Sequence, residues 1–341
     1  MTTPEPPRRA TMYEVARLAG VSHQTVSRYL RGERLRPTTR ERVDAAVKAL
    51  DYRPNQLARS MRTRRTNRLA VVLPMPKTFP LRLLGAASAA AHEADYQLEL
   101  VSVEGGPEAR SDRVRELAES GRVEGILSLA SLDADIASRA SVPVLTTGDY
   151  DDKMRGLGLL ADGSPVVDII EYLVSLGHRD FLHVAGAQTW ASARNRKVVY
   201  METIERLGLR SHGVVDGDWS ARSGYDAVGS LPDDTEVTAV IAVNDTVAMG
   251  VVRGALERGW QVPRDLSVFG WDDDEIARFA TPSLSTIAID REAQGRDAML
   301  RLVAAVRGEP VPEPGVGSIN QLVPRESVGP PRPGPAPARR D

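Results

Sequence analysis

The chain has 341 residues, 42% of them hydrophobic and 26% charged, and it contains no Cys. That is more than one ordinary domain; the lack of Cys excludes disulfides and suits a reducing cytoplasm, and no apolar run approaches membrane length. Residues 1–68 hold sixteen Lys+Arg against six Asp+Glu, a net of +10, so with a chain total of −2 residues 69–341 carry −12. A basic head on an acidic body is the electrostatic footprint of a phosphate binder whose body avoids DNA.

Residues 1–10 read as a flexible N-terminus without an apolar leader core. Thr11-Met12-Tyr13-Glu14 forms a capping box, Val15, Leu18 and Ala19 recur at helical spacing, and Gly20 ends the first helix. Ser22 caps a second helix, His23 to Leu30, with Val26 and Leu30 facing inward. Two short helices joined through Ala19-Gly20-Val21-Ser22 are a helix-turn-helix signature. A third helix follows from a second box, Thr38-Thr39-Arg40-Glu41, with Val43, Ala46, Val47 and Leu50 as its buried stripe. The outward residues of the second helix are His23, Gln24, Thr25, Ser27 and Arg28. Gln pairs bidentately with an adenine edge and Arg with guanine, while Thr and Ser hydroxyls suit phosphates or bases. A solvated helix face would account for the same residues; the charge balance selects DNA.

Tyr13-Glu14-Val15-Ala16, Ala19-Gly20-Val21-Ser22, Thr25-Val26-Ser27-Arg28, Thr39-Arg40-Glu41 and Tyr52-Arg53-Pro54-Asn55 together resemble the headpiece of the lactose/galactose-repressor family of bacterial transcription regulators. The resemblance implies that His23, Gln24 and Arg28 read bases. It also implies that Thr11, Tyr13, Ser22, Thr25, Ser27, Asn55 and Arg59 meet the DNA backbone. Residues 55–62 are too few for a stable isolated helix. On the bare sequence they are a linker; the resemblance implies a hinge helix that folds against its dimer mate in the minor groove, with Ala58 at the helix contact. Met61 stands where a Leu wedge is usual, and Met is apolar and flexible enough to serve. Arg31 replaces a commoner Asn before Gly32.

Farther along, apolar runs (69–73, 98–103, 125–129, 142–147, 181–185, 237–243 and 266–269) alternate with helical patterns such as 81–94, 165–176 and 193–207. Strands separated by helices predict parallel sheets with helices on both faces and a ligand cleft at the strands' carboxyl ends. The resemblance implies a two-lobed α/β periplasmic-binding-protein-like domain. The expected layout is a helix-turn-helix domain at 11–54, a hinge at 55–66 and an effector-binding and dimerisation domain at 67–325. Lobe 1 covers 67–161 and 291–318, lobe 2 covers 164–288 and 319–325, and crossings fall near 160–165, 289–291 and 317–322. Residues 326–341 form a disordered Pro-rich tail.

Asp162, Arg196, Trp219, Asn244 and Asp272 lie at strand ends, where carboxylates, Arg and Asn suit sugar hydroxyls and a Trp face suits a pyranose. Each has a plainer role: Asp162 and Asn244 as helix caps, Trp219 in the core, Arg196 in a surface ion pair, Asp272 in a solvated acidic run of which it alone turns inward. They also match the sugar contacts of lactose-repressor-like proteins. Ile289 and Arg291 depart from the Gln and Phe usual there and leave the specificity open. No catalytic motif, cofactor or metal site is expected, so the chain reads as no enzyme.

The expected function is therefore a cytoplasmic bacterial repressor, nucleoid-associated when bound. As a homodimer it holds a near-palindromic operator and is released by a small sugar, such as a β-glycoside. A purine or phosphorylated-sugar corepressor is the first alternative. A solute-binding protein without a DNA role is the second, and the basic head opposes it.

Overall fold

The computed structural model describes residues 10–30, 32–52, 65–75, 80–315 and 319–334. The chain separates into two compact units, one running through Thr66 and the other from Asn67.

In the first unit, α1 (Met12–Ala19), α2 (His23–Leu30) and α3 (Pro37–Ala49) close around Val15, Ala19, Val26, Val43, Ala46 and Tyr52. The first capping box forms: Thr11 N–H donates to Glu14 Oε2 at 2.6 Å, and Glu14 N–H donates to Thr11 Oγ1 at 3.3 Å. Gly20 turns the chain at φ 62°, where a Cβ would be penalised. Ser22 Oγ accepts from Thr25 N–H at 3.2 Å and opens α2.

Three expectations are corrected here. Leu18 is 56% exposed, because the inward stripe of α1 runs through Val15, Ala16 and Ala19. α3 starts at Pro37 with Arg36 at its N-cap and no side-chain cap, so the box at Thr38 is not the start. A Pro at the first helical position has no N–H to satisfy and an already helical φ, which moves the start forward. Ser27 is buried beside Val26, on the face that meets the other helices, and does not belong to the outward set.

The second unit holds two four-stranded parallel sheets. Lobe 1 has the order β2-β1-β3-β4, with β1 (Arg68–Pro74), β2 (Gln97–Val103), β3 (Gly125–Ala130) and β4 (Val144–Tyr150). Its helices are α4 (Leu81–Glu93), α5 (Pro107–Glu119) and the short α6 (Ile136–Arg139). Lobe 2 has the order β6-β5-β7-β8, with β5 (Asp180–Ala185), β6 (Arg210–Asp216), β7 (Ala239–Ala242) and β8 (Ser267–Phe269). α7 (Pro165–Ser175), α8 (Ala191–Arg206), α9 (Ala221–Gly229), α10 (Asp245–Glu257) and α11 (Glu275–Phe279) belong to it. The chain then returns: α12 (Arg291–Arg307) packs on α4 and β3 of lobe 1. β9 (Thr286–Ile289) and β10 (Asn320–Val323) pair antiparallel, Ile289 opposite Asn320. Central strands β3, β5 and β7 are buried along their whole length, as parallel strands covered on both faces require.

α9 and α10 cross at two glycines. A Cβ on Gly224 would lie 2.0 Å from Val247 O, and one on Gly250 would lie 1.8 Å from Ala221 O.

The tail is a further correction. Ser327 and Val328 are buried, and Val268 N–H donates to Ser327 O at 2.9 Å, so the chain runs on beside β8. Arg332 donates to the carbonyls of Asp265 and Thr235. These backbone partners order 326–334 despite the Pro-rich composition; residues 335–341 lie outside the described set. Among the described residues no helix is long and apolar enough to cross a membrane.

Candidate functional site

The headpiece presents one polar face. His23, Gln24 and Arg28 are exposed on α2, Gln24 and Arg28 one helical turn apart. Tyr13, 71% exposed, stacks on His23 with ring centroids 5.4 Å apart and planes at 30°. Thr25 Oγ1 lies 2.9 Å from Ser22 Oγ, and Thr11 Oγ1 donates to Glu14 Oε2 at 3.0 Å, so these hydroxyls also serve the helix starts. Arg28 does not float: its Nε donates to Glu33 Oε2 at 2.8 Å and its Nη2 to Arg34 O at 3.4 Å. Asn55, Ala58, Arg59 and Met61, with Arg31, lie outside the described residues.

The second site lies where the carboxyl ends of the lobe 2 strands face lobe 1. Arg196, on α8, is only 4% exposed; its Nη1 donates to Val243 O at 2.5 Å and its guanidinium lies 3.8 Å over the Trp271 ring. Its Nε is buried with no partner among the described residues. Burial pulls the Arg196 pKa down to about 10, while the Asp272 charge pulls the other way. Asp272 leaves β8 with φ 106°, and its N–H donates to Ile287 O at 2.8 Å.

Two arginines of lobe 1 reach Asp272. Arg291 Nη2 lies 3.4 Å from its Oδ1, and Arg82 Nη1 donates to its backbone carbonyl at 3.3 Å. Arg291 Nη1 also donates to Tyr150 Oη at 3.4 Å, and Arg82 pairs with Glu292 at 2.8 Å. One carboxylate thus stands among Arg196, Arg291 and the Arg82 contact, with both lobes contributing. Arg291 belongs to this cluster. Ile289 does not: it is 1% exposed inside the β9–β10 ribbon, turned into the core by its strand register.

Trp219, at φ 73°, packs on Gly186, where a Cβ would lie 2.7 Å from its ring. Trp190, which precedes α8, meets it with centroids 5.0 Å apart at 53°. The indole Nε1 of Trp219 is buried without a partner among the described residues. Asn244 Oδ1 accepts from Val247 N–H at 2.9 Å, and Asp162 accepts from Ser164 N–H at 2.9 Å and Ser164 Oγ at 2.7 Å. For Asn244 this is a helix cap; for Asp162 it is the bracing of the turn before α7.

The acidic run differs from expectation, because Asp273 also turns inward. It is 5% exposed and its carboxylate meets Arg278 at 2.6 Å and Arg325 at 2.5 Å, which hold its pKa below the usual range against the cost of burial. Sequence reasoning missed Arg82 and Tyr150, which reach the site from distant segments, and Trp190, which packs against Trp219. Asp245, which follows Asn244 at the end of the same apolar run, turns out to be buried beneath the Asp272 loop.

Asp245 is fully buried; it accepts from Thr286 Oγ1 at 2.7 Å and Asp274 N–H at 2.8 Å. Burial raises its pKa to about 7, against an ordinary 3.8. The native state therefore binds the extra proton, and the contribution of this group to stability is present below about pH 4 and lost as pH rises to about 7. His183, buried with its pKa lowered to about 4, acts in the opposite sense, losing stability as pH falls from 6.5. Asp245→Asn is expected to remove a downward slope of up to about 1.4 kcal/mol per pH unit between pH 4 and 7. Urea unfolding across that range tests it, and parallel curves for variant and parent would refute it.

At the opposite end of β5, Asp180, His212 and Glu236 come within metal-ligating distance of one another. Arg210 already grips Asp180 through two 2.5 Å bonds, which leaves its carboxylate an ion-pair partner.

A helix-turn-helix unit joined to a two-lobed α/β domain defines a DNA-binding regulator with a periplasmic-binding-protein-like body. Residues 11–55 match the model for bacterial regulatory proteins of the lacI family, and residues 170–328 match that for the periplasmic binding protein-like domain. The chain is 31% identical over 326 residues to the lactose operon repressor of Escherichia coli (strain K12), covering 92% of this chain and 88% of that protein. It is also 31% identical over 326 residues to the HTH-type transcriptional regulator CelR of Thermobifida fusca, covering 89% and 93%. A crystal structure of the lac repressor dimer bound to operator and the anti-inducer ONPF superposes with TM-score 0.70 at 28% identity, over 94% of this chain and 100% of that one. A CelR–cellobiose complex gives TM-score 0.56 at 28% identity, with the same coverage. The chain belongs to the lacI family of bacterial regulatory proteins, and both of these relatives are transcriptional regulators.

Proposed function

We propose that the protein is a cytoplasmic homodimeric repressor that holds a near-palindromic operator and releases it when a small sugar enters the cleft. The observation that carries this reading is the Asp272 cluster, where Arg291 of lobe 1 meets the Asp272 carboxylate of lobe 2 beside the Arg196 Nε, which has no partner among the described residues. Carboxylate, guanidinium and an indole corner formed by Trp190 and Trp219 suit the hydroxyls and the apolar face of a saccharide. CelR, a relative solved with cellobiose, favours a β-linked glucoside among the candidates. Asp162 and Asn244 complete the set, and Arg291 tunes which sugar fits.

On the DNA, His23, Gln24 and Arg28 read bases. Thr11, Tyr13, Ser22 and Thr25 meet the backbone, joined from the hinge by Asn55 and Arg59, while Ala58 and Met61 enter the minor groove. Two-fold symmetry then requires two half-sites. A sugar acts only through its different affinity for the two states, typically about 1–3 kcal/mol. The test is calorimetry with cellobiose, lactose and monosaccharides, followed by operator shift assays with whichever binds. If no sugar binds while a purine strengthens operator binding, induction by sugar is wrong. A phosphorylated-sugar corepressor is the second reading, favoured by two arginines, Arg196 and Arg291, against one Asp272 carboxylate, Arg82 being paired with Glu292.

Arg28→Ala is expected to lower discrimination at one base pair per half-site by about 5- to 150-fold, the range of one bidentate contact. Selection from random duplexes checks it; an unchanged consensus would remove Arg28 from the reading set.

A further inference from the structure

We propose that Glu33 is a specificity-determining positioning residue: it clamps the Arg28 guanidinium so that its end, and not its side, faces the base edge. The proposal rests on the reading of Arg28 given above.

The clamp follows from how α2 ends. Gly32 takes φ 76°, its N–H donates to Tyr29 O at 3.0 Å, and the Glu33 N–H donates to Arg28 O at 3.1 Å. This pair of bonds is the Schellman arrangement, which folds the chain back over the last helical turn. Glu33 is thereby delivered to the turn that carries Arg28, and its Oε2 accepts from Arg28 Nε at 2.8 Å. The Arg34 carbonyl accepts from Nη2 at 3.4 Å. Both side chains stay roughly half exposed, at 50% and 41%, so the pair does little for folding but is available where DNA would lie.

The donor count decides the consequence. Arg has five N–H donors, and a guanine edge offers N7 and O6 to two parallel ones. With Nε taken by Glu33 and one Nη2 hydrogen by Arg34 O, the side-on pair is spent. What remains is the end-on pair, one hydrogen from each terminal nitrogen. A long side chain otherwise free to rotate is thus held in one presentation before contact, which lowers the ordering cost on binding. Glu33 itself is an anion close to phosphates. It should weaken attachment to any duplex while sharpening choice among duplexes, and no structural role predicts that combination.

The experiment uses the full-length protein and a pool of random duplexes, with fluorescence anisotropy on the selected and on scrambled sequences. Glu33→Gln keeps the size of the side chain and removes its charge. We expect it to keep wild-type thermal unfolding, bind scrambled duplex as well as or better than wild type, and lose at least about fivefold discrimination at one base pair. That pair should be the one lost by Arg28→Ala, with the positions read by His23 and Gln24 unchanged. Retained preference at that pair in Glu33→Gln, alongside its loss in Arg28→Ala, would overturn the clamp and leave the Arg28 reading standing. A uniform loss of affinity with an unchanged consensus, or sharper discrimination because Glu33 had been withholding Arg28, would overturn it as well. If Arg28→Ala keeps every preference, the Arg28 reading itself fails, which is a separate result.

Discussion

Asp272→Asn is expected to abolish the response to effector while sparing operator binding. Asn keeps the shape of the side chain and tolerates the positive φ of this position better than most residues, so the loop is preserved. The Arg82 contact also survives, because it is made to the backbone carbonyl. What disappears is the negative charge facing Arg291 and Arg196. Hydrogen bonds to charged groups contribute about 1.5–3 kcal/mol, so ligand affinity should fall about 10- to 150-fold. Calorimetry reads the affinity and a shift assay without ligand reads the DNA. Wild-type sugar affinity would exclude Asp272 from the site; lost operator binding would make it a structural residue.

Gly250→Ala is expected to destabilise the fold at any pH. The added Cβ would stand 1.8 Å from Ala221 O, a backbone atom that no rotamer change can move, so α9 and α10 must separate. Overpacking typically costs about 1–3 kcal/mol, and a backbone clash belongs at the upper end. In a unit of this size that lowers the melting temperature by roughly 4–10 °C. Gly85→Ala on α4 is the control, because a Cβ there meets nothing within 4 Å. Calorimetric scans that cannot separate the two variants would refute the crossing argument.

Much of this architecture was legible because burial leaves a pattern. Strands such as β3, β5 and β7 are covered on both faces and read as apolar runs. β6 is an edge strand with most positions exposed or half-exposed, and the four-residue β9 and β10 are too short to show a period. Within the headpiece the helices were readable, but which of two adjacent polar residues faces inward was not. Ser27 is buried beside Val26, whereas its neighbour Arg28 is exposed. The site was half legible. Asp272 follows β8 closely and Arg196 lies on the helix after β5, near strand ends where polar residues are informative. Arg82 and Tyr150 are brought to them by lobe packing across more than a hundred residues, which no local pattern encodes. The tail misled for a related reason: Pro-rich composition argues against a packed core, but the backbone partners offered by β8 lie far away in sequence.

The return of α12 to lobe 1 has a consequence for synthesis. The helix begins about 160 residues after the end of β3, the strand it packs against. In order of synthesis the helix-turn-helix precedes the lobe 1 strands, and β5 to β8 of lobe 2 precede α12. Through that interval α4 and β3 lack the helix that packs on them in the complete chain. A nascent chain therefore holds its complete helix-turn-helix unit long before its complete two-lobed unit. Among the described helices α12 comes latest in chain order, and it carries Arg291, which reaches Asp272 of lobe 2.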